Sequence, residues 1–192
     1  DRLLEMRLNF YLRGLNKTED PKAENELVGP NGEIVGRVKN GRPKFFPDYY
    51  VIPMSLDKDN DAQEAFNMID YFKRNGVLVK ELKEDIGNYK KGDLVIDMAQ
   101  AKRGYANHIL YKGSNESAWA AMYAELLVNF PDMRGFKSEP VFADGLFNGK
   151  LGEVTTTRAT RTSEIDPKAP YYVIANTSAS AVKAVNQAIA QG

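Results

Sequence analysis

The chain contains no cysteine, and among its 192 residues there is one histidine and one tryptophan. Without cysteine there are no disulfides, no thiol nucleophile and no thiolate metal site. With a single imidazole, a zinc centre built from this chain alone is short of ligands, since zinc takes three or four His, Cys or carboxylate groups in compatible spacing. Net charge is also missing. Lys plus Arg and Asp plus Glu both number 26, a balance that argues against a nucleic-acid or anionic-membrane partner. No apolar run approaches the ~20 residues of a membrane-spanning helix. What remains is a chain of one-domain length, able to bury roughly 70% of its unfolded surface without staples.

Several stretches carry clear local signals. Leu4, Leu8, Tyr11, Leu12 and Leu15 fall at helical spacing, with Gly14 at the expected stop, and predict an N-terminal packing helix. Leu27-Val28 and Ile34-Val35 flank Gly29-Pro30-Asn31-Gly32, a hairpin or surface-loop signal. Tyr49-Tyr50-Val51-Ile52-Pro53-Met54 is a continuous apolar run of strand length, the kind that suits a parallel strand covered on both faces. Asp61 and Glu64 have capping-box spacing ahead of an Ala65, Met68, Ile69, Phe72 stripe that Asn75-Gly76 ends. Val77-Leu78-Val79 and Leu94 to Met98 read as further strands. Ser114 is placed to cap an amphipathic helix through Trp119, Met122, Tyr123, Leu126 and Leu127, closed by Phe130-Pro131. Val141 to Phe147 and Leu151 to Thr157 flank Asn148-Gly149, a two-residue hairpin signal. Tyr171-Tyr172-Val173-Ile174 repeats the tetrapeptide at 49–52, and a helix pattern through Ala181, Val182, Val185 and Ile189 follows it. The echo reads either as a second β-α unit of the same kind or as common strand vocabulary.

These elements predict an α/β fold, a mostly parallel sheet with helices on both faces, bearing an N-terminal helix and a β-hairpin insertion. The expected division is an N-terminal helix with an irregular connecting segment over 1–48 and an α/β domain over 49–192. The chain opens at Asp1 inside a helical pattern and stops at Gly192 just past one. It is expected to be a piece of a longer polypeptide, with the α/β domain truncated at its C-terminus.

Motif tests narrow the chemistry. Asp57, Asp59 and Asp61 begin like a calcium loop, but Ala62 and Met68 stand where Gly and Glu are required, so helix capping explains the cluster better. Asn176 to Ser180 links a strand end to a helix start and reads as ordinary N-capping in preference to an anion-holding set of exposed amides, and no Gly-x-Ser-x-Gly elbow or P-loop is present. The strongest candidate site lies where the strand ending at Asp97 runs into a charged turn and a helix. Asp97, Gln100, Lys102, Arg103, Asn107 and His108 gather there, and α/β sheets hold ligands beyond strand ends. The competing reading is an internal brace, in which Asp97 pairs with Arg103 or accepts loop amides. His108 reads as a helix-face residue. No residue is assigned a catalytic or metal-binding role.

Three phrases carry a resemblance. Phe10-Tyr11-Leu12-Arg13-Gly14, then Phe46-Pro47-Asp48-Tyr49-Tyr50-Val51-Ile52-Pro53, then Val95-Ile96-Asp97-Met98-Ala99-Gln100-Ala101-Lys102-Arg103-Gly104-Tyr105-Ala106-Asn107 resemble large bacterial zinc carboxypeptidases of the carboxypeptidase A-like metallopeptidase family. Ala65-Phe66-Asn67-Met68 and Gly76-Val77 continue the likeness, which covers roughly Arg2 to Leu127. The similar segment follows the peptidase domain and is described as glutamine-amidotransferase-like, a flavodoxin-like architecture. The family's His-x-x-Glu pair and later histidine cannot be placed here, nor can an amidotransferase cysteine. The resemblance therefore implies a non-catalytic accessory domain of a secreted or cell-surface hydrolase. The zinc would lie in the parent's peptidase domain, with that domain and a peptide or cell-wall substrate as partners. The alternative is a small-ligand-binding or lapsed amidotransferase-type domain.

Overall fold

A computed structural model describes residues 1–18, 27–28, 34–35, 43–54, 62–112, 130–155, 166, 168–174, 176 and 179–191. The element order is α1 (Arg2–Leu15), β1 (Leu27–Val28), β2 (Ile34–Val35), β3 (Tyr49–Ile52), α2 (Ala62–Arg74), β4 (Lys80–Leu82), β5 (Leu94–Asp97), α3 (Arg103–Leu110), α4 (Phe130–Arg134), β6 (Glu139–Val141), β7 (Leu151–Gly152) and α5 (Ala179–Gln191). The helix and strand mixture makes this an α/β protein in the broad sense.

The main sheet has five strands in the order β6-β3-β5-β4-β7. Every neighbouring pair is antiparallel: Tyr49 lies opposite Asp97 and Val141, Lys80 opposite Val95, and Leu82 opposite Leu151. This corrects the expected mostly parallel, amidotransferase- or flavodoxin-like sheet. An apolar run reports burial on both faces and says nothing about direction. Here the two faces are covered by different materials. Tyr50, Ile52, Leu94 and Ile96 pack under α2 (Ala65, Met68, Ile69, Phe72) and α3 (Ala106, Ile109, Leu110). Tyr49, Val51, Leu82, Val95 and Val141 are covered by Phe147, with Ile86, Tyr89, Leu146 and Leu151 packed against them. Among the described residues the helices thus cover one face and loops the other. The alternation of buried side chains along β3 and β5 is what lets one short strand feed both layers.

The predicted hairpin over 141–157 is also corrected. β6 pairs with β3 and β7 with β4, so the two strands form opposite edges of the sheet. The connecting residues cross the open face and insert Phe147 between Tyr49 (ring centroids 4.9 Å apart) and Tyr89 (5.4 Å). Asn148-Gly149 does form a turn, in which the Lys150 N–H donates to the Phe147 carbonyl at 3.0 Å. That turn serves the crossing and joins no neighbouring strands. The strand expected at 77–79 lies instead at Lys80–Leu82, while Val77 and Val79 are buried in the connector from α2.

Other expectations fare differently. β1 and β2 pair antiparallel, which decides for the hairpin over the surface loop that the sequence left open. Gly76 takes φ +72° directly after α2, the left-handed stop that favours glycine. The helix predicted from Ser114 and the Asp61 cap lie outside the described residues, and Phe130 and Pro131 sit inside α4. Residues 171–174 belong to no strand and are exposed, and α5 buries none of its residues. Common strand vocabulary therefore accounts for the echo of 49–52 among the described residues. α1 forms, with Asp1 accepting the Leu3 N–H, but it runs through Leu15 with Gly14 inside it rather than at its stop, and Gly14 is its one buried residue while the leucine stripe expected to pack stays exposed.

Candidate functional site

β5 ends at Asp97, the chain turns through 98–102, and α3 starts at Arg103. The turn is held by its own side chains. Asp97 Oδ1 accepts the Ala99 N–H at 2.8 Å, an Asx-type closure two residues on. The buried Gln100 amide reaches back across the fold. Its oxygen accepts the Leu78 N–H at 2.9 Å, and its nitrogen donates to the Leu78 carbonyl at 3.3 Å and the Asp97 carbonyl at 2.6 Å. One side chain so joins the β5–α3 turn to the connector that leaves α2. A buried amide without such partners would cost about 1–3 kcal/mol, so this position demands both a donor and an acceptor.

Arg103 is buried. Its guanidinium donates to the Thr18 carbonyl at 2.6 Å and stacks 4.2 Å from the Phe46 ring centroid. Asn107, one turn further along α3, accepts the Tyr50 hydroxyl at 2.8 Å beneath the sheet. Lys102 is half-buried, its ammonium 5.5 Å from the Tyr11 ring centroid. His108 stands on the exposed face of α3. The six candidates therefore separate. Gln100, Arg103 and Asn107 face inward with their hydrogen bonds made inside the fold. Asp97 and Lys102 border solvent, and His108 points away.

α1 completes the corner by close approach. A Cβ at Gly14 would collide with the Gln100 backbone carbonyl and sit 3.3 Å from that of Ala101, and one at Gly104 would lie 2.8 Å from the Phe10 ring. Glycine at both positions is what lets α1 lie against the start of α3.

A second constellation was not visible in the sequence. The register that sets Tyr49 opposite both Asp97 and Val141 brings Asp48, Asp97 and Asp144 to one end of the sheet. Lys17, in the left-handed region at φ +50°, places its ammonium 2.7 Å from Asp144, 3.8 Å from Asp48 and 4.0 Å from Asp97, and 5.0 Å from the Tyr49 ring centroid. Lys44 pairs with the buried Asp48 at 2.6 Å. Burial works against the Lys17 charge, but the hydrogen bond it donates to Asp144 and the nearby Asp97 carboxylate outweigh it and raise its affinity for the proton. The Lys17 hydrogen bond holds the Asp144 carboxyl below the ordinary range, and burial pushes the Tyr49 hydroxyl up. The sequence signal was weak because these residues lie up to 127 positions apart. The Phe46-Pro47-Asp48 entry to β3 and the Asp144-Gly145 turn were the only local hints.

Three carboxylates sharing two ammonium groups make a fastening between the end of α1, the sheet and the crossing loop. Among the described residues there is no group of three or more His, Cys, Asp or Glu able to hold a metal ion. Nor is any described helix long and apolar enough to cross a membrane.

Comparison with protein-family models, with curated proteins and with solved structures finds no match to this chain.

Proposed function

We propose that this chain is a non-catalytic accessory region of a secreted or cell-surface bacterial zinc carboxypeptidase, and that it supports or positions the peptidase domain or its peptide or cell-wall substrate. One observation supports the reading above others. The phrases that carry the resemblance, far apart in sequence, meet one another in space. Gly14 abuts Gln100, Phe10 abuts Gly104, Phe46 stacks on Arg103 and Tyr50 bonds Asn107. Their shared vocabulary is that of a brace, with polar groups engaged on each other, and a brace suits a supporting role. The zinc and the hydrolytic chemistry belong, on this reading, to the peptidase domain.

The test is a peptidase assay on the isolated chain with added zinc. No turnover is expected, and hydrolysis abolished by a chelator would refute the non-catalytic assignment. The brace is checked separately by Gln100→Ala, which should lower the melting temperature without altering any ligand response.

A small-ligand role is favoured by the exposure of the Asp97 side chain, 41%, beside Lys102 on the same turn. It predicts that a thermal-shift screen finds a binder whose shift, measured from each variant's own unliganded melting temperature, Asp97→Asn removes. The antiparallel sheet departs from the amidotransferase-like architecture that both readings took from the resemblance, so neither rests on that fold.

A further inference from the structure

Asparagine followed by glycine is prone to lose its side-chain amide, because glycine leaves its own nitrogen free to swing onto the preceding side chain. The chain holds such pairs at Asn31, Asn40, Asn75 and Asn148, of which the first two lie outside the described residues. The other two differ in what restrains them. Asn75 donates its amide to the Tyr71 carbonyl at 2.8 Å, and the Gly76 N–H is engaged by the Lys73 carbonyl at 3.1 Å. Side chain and attacking nitrogen are both tied to the end of α2.

At Asn148 both are looser. Both asparagines are exposed, but among the described residues the Gly149 N–H donates no hydrogen bond. Nothing lies within 4 Å of where a Gly149 side chain would begin. The Asn148 oxygen accepts a 3.5 Å bond from the Tyr49 hydroxyl. That is the oxygen on which negative charge grows when the amide carbon is attacked, so the hydroxyl assists as a donor.

We propose that Asn148 is a site of spontaneous deamidation and that its conversion unfastens the loop covering the open face of the sheet. The Gly149 nitrogen, its proton taken by solvent base, attacks the Asn148 side-chain carbon. A carbon–nitrogen bond closes a five-membered imide and ammonia leaves. Water then opens the ring at either carbonyl to give aspartate or isoaspartate, with no change of oxidation state. The neighbouring Asp144-Gly145 pair resists the same cyclisation, because its carboxylate is held ionised by Lys17 at 2.7 Å and an ionised carboxylate is a poor electrophile. The isoaspartate product inserts a methylene into the backbone of the 147–150 turn. Phe147, buried between Tyr49 and Tyr89, is carried by that turn.

The test is incubation of the intact chain at mildly alkaline pH, followed by digestion and site-resolved mass spectrometry. Conversion at Asn148 is expected several-fold faster than at Asn75, with the product split into two isomeric peptides. An unchanged Asn148, or conversion at Asn75 at an equal or greater rate, would overturn the assignment. Melting temperature should fall in step with conversion, and Asn148→Gln should abolish both changes. A fall that persists in the Gln variant would overturn the unfastening.

Discussion

Tyr-Tyr-Val-Ile occurs twice in this chain with opposite outcomes. At 49–52 the four residues are 1%, 1%, 0% and 0% exposed, and at 171–174 they are 76%, 56%, 89% and 48% exposed. Composition, local propensity and a following helix are common to both. The first copy has β5 on one side and β6 on the other, α2 and α3 above, and Phe147 below. The second has no strand neighbour among the described residues. β-propensity is thus a statement about fitting a half-built pleated surface, not an instruction to the backbone. Identical words acquire a structure from the elements that pair with them.

The contrast can be broken most sharply by truncation. Ile52→Ala is expected to destabilise by about 2–5 kcal/mol, the cost of emptying a packed site, whereas Ile174→Ala should stay within ~0.5 kcal/mol, as exposed substitutions do. Denaturant unfolding of the two variants checks this, and equal losses would show that the second copy is buried in solution.

The next effect concerns what flanks the buried copy. Gly14→Ala forces a Cβ into the Gln100 carbonyl, backbone against backbone, where neither side yields easily. A loss of about 1–3 kcal/mol is expected, read as a shift of the denaturation midpoint. A neutral result would mean that α1 does not lie against α3.

A finer probe compares hydroxyls. Tyr50→Phe leaves the buried Asn107 oxygen without its 2.8 Å donor and should cost about 1 kcal/mol. Tyr172→Phe removes an exposed bond to the Asp166 carbonyl and should be close to silent. Thermal melts of the pair sharpen the comparison to a single oxygen in each copy.

The smallest expected effect is the pH dependence of the corner beside the buried copy. The Asp144 carboxyl is lowered from its ordinary 3.8 by the Lys17 hydrogen bond. Its contribution is present above the ordinary value and is lost as pH falls through the depressed one. Lys17 is raised from 10.5, the Asp144 hydrogen bond and Asp97 charge overcoming its burial. Its contribution is present below that value and is lost as pH rises through the raised one. Stability should therefore run level between these limits and slope away beyond both. Lys17→Met should flatten both slopes, as measured by denaturation midpoints across the pH range.

The candidate site was legible as a place but not as a role. Asp97, Gln100, Lys102, Arg103 and Asn107 could be grouped because they share one strand end and one helix start. Their orientation could not be read, since Gln100 is defined by Leu78 and Arg103 by Thr18 and Phe46. The Lys17 corner was illegible for the same reason on a larger scale. Its members become neighbours through sheet register, which no local pattern encodes.

By itself the sequence determined the zero-cysteine chemistry, a helix through Leu4 to Leu15, the stop at Gly76 and the apolar runs that form the core. These follow from side-chain chemistry and periodicities of a few residues. Tertiary structure decided the direction of the strands, the placement of β6 and β7 on opposite edges, and the different fates of the two Tyr-Tyr-Val-Ile copies. Pairing is a contest between distant segments for the same edges and faces, and its outcome depends on packing energies summed over all of them.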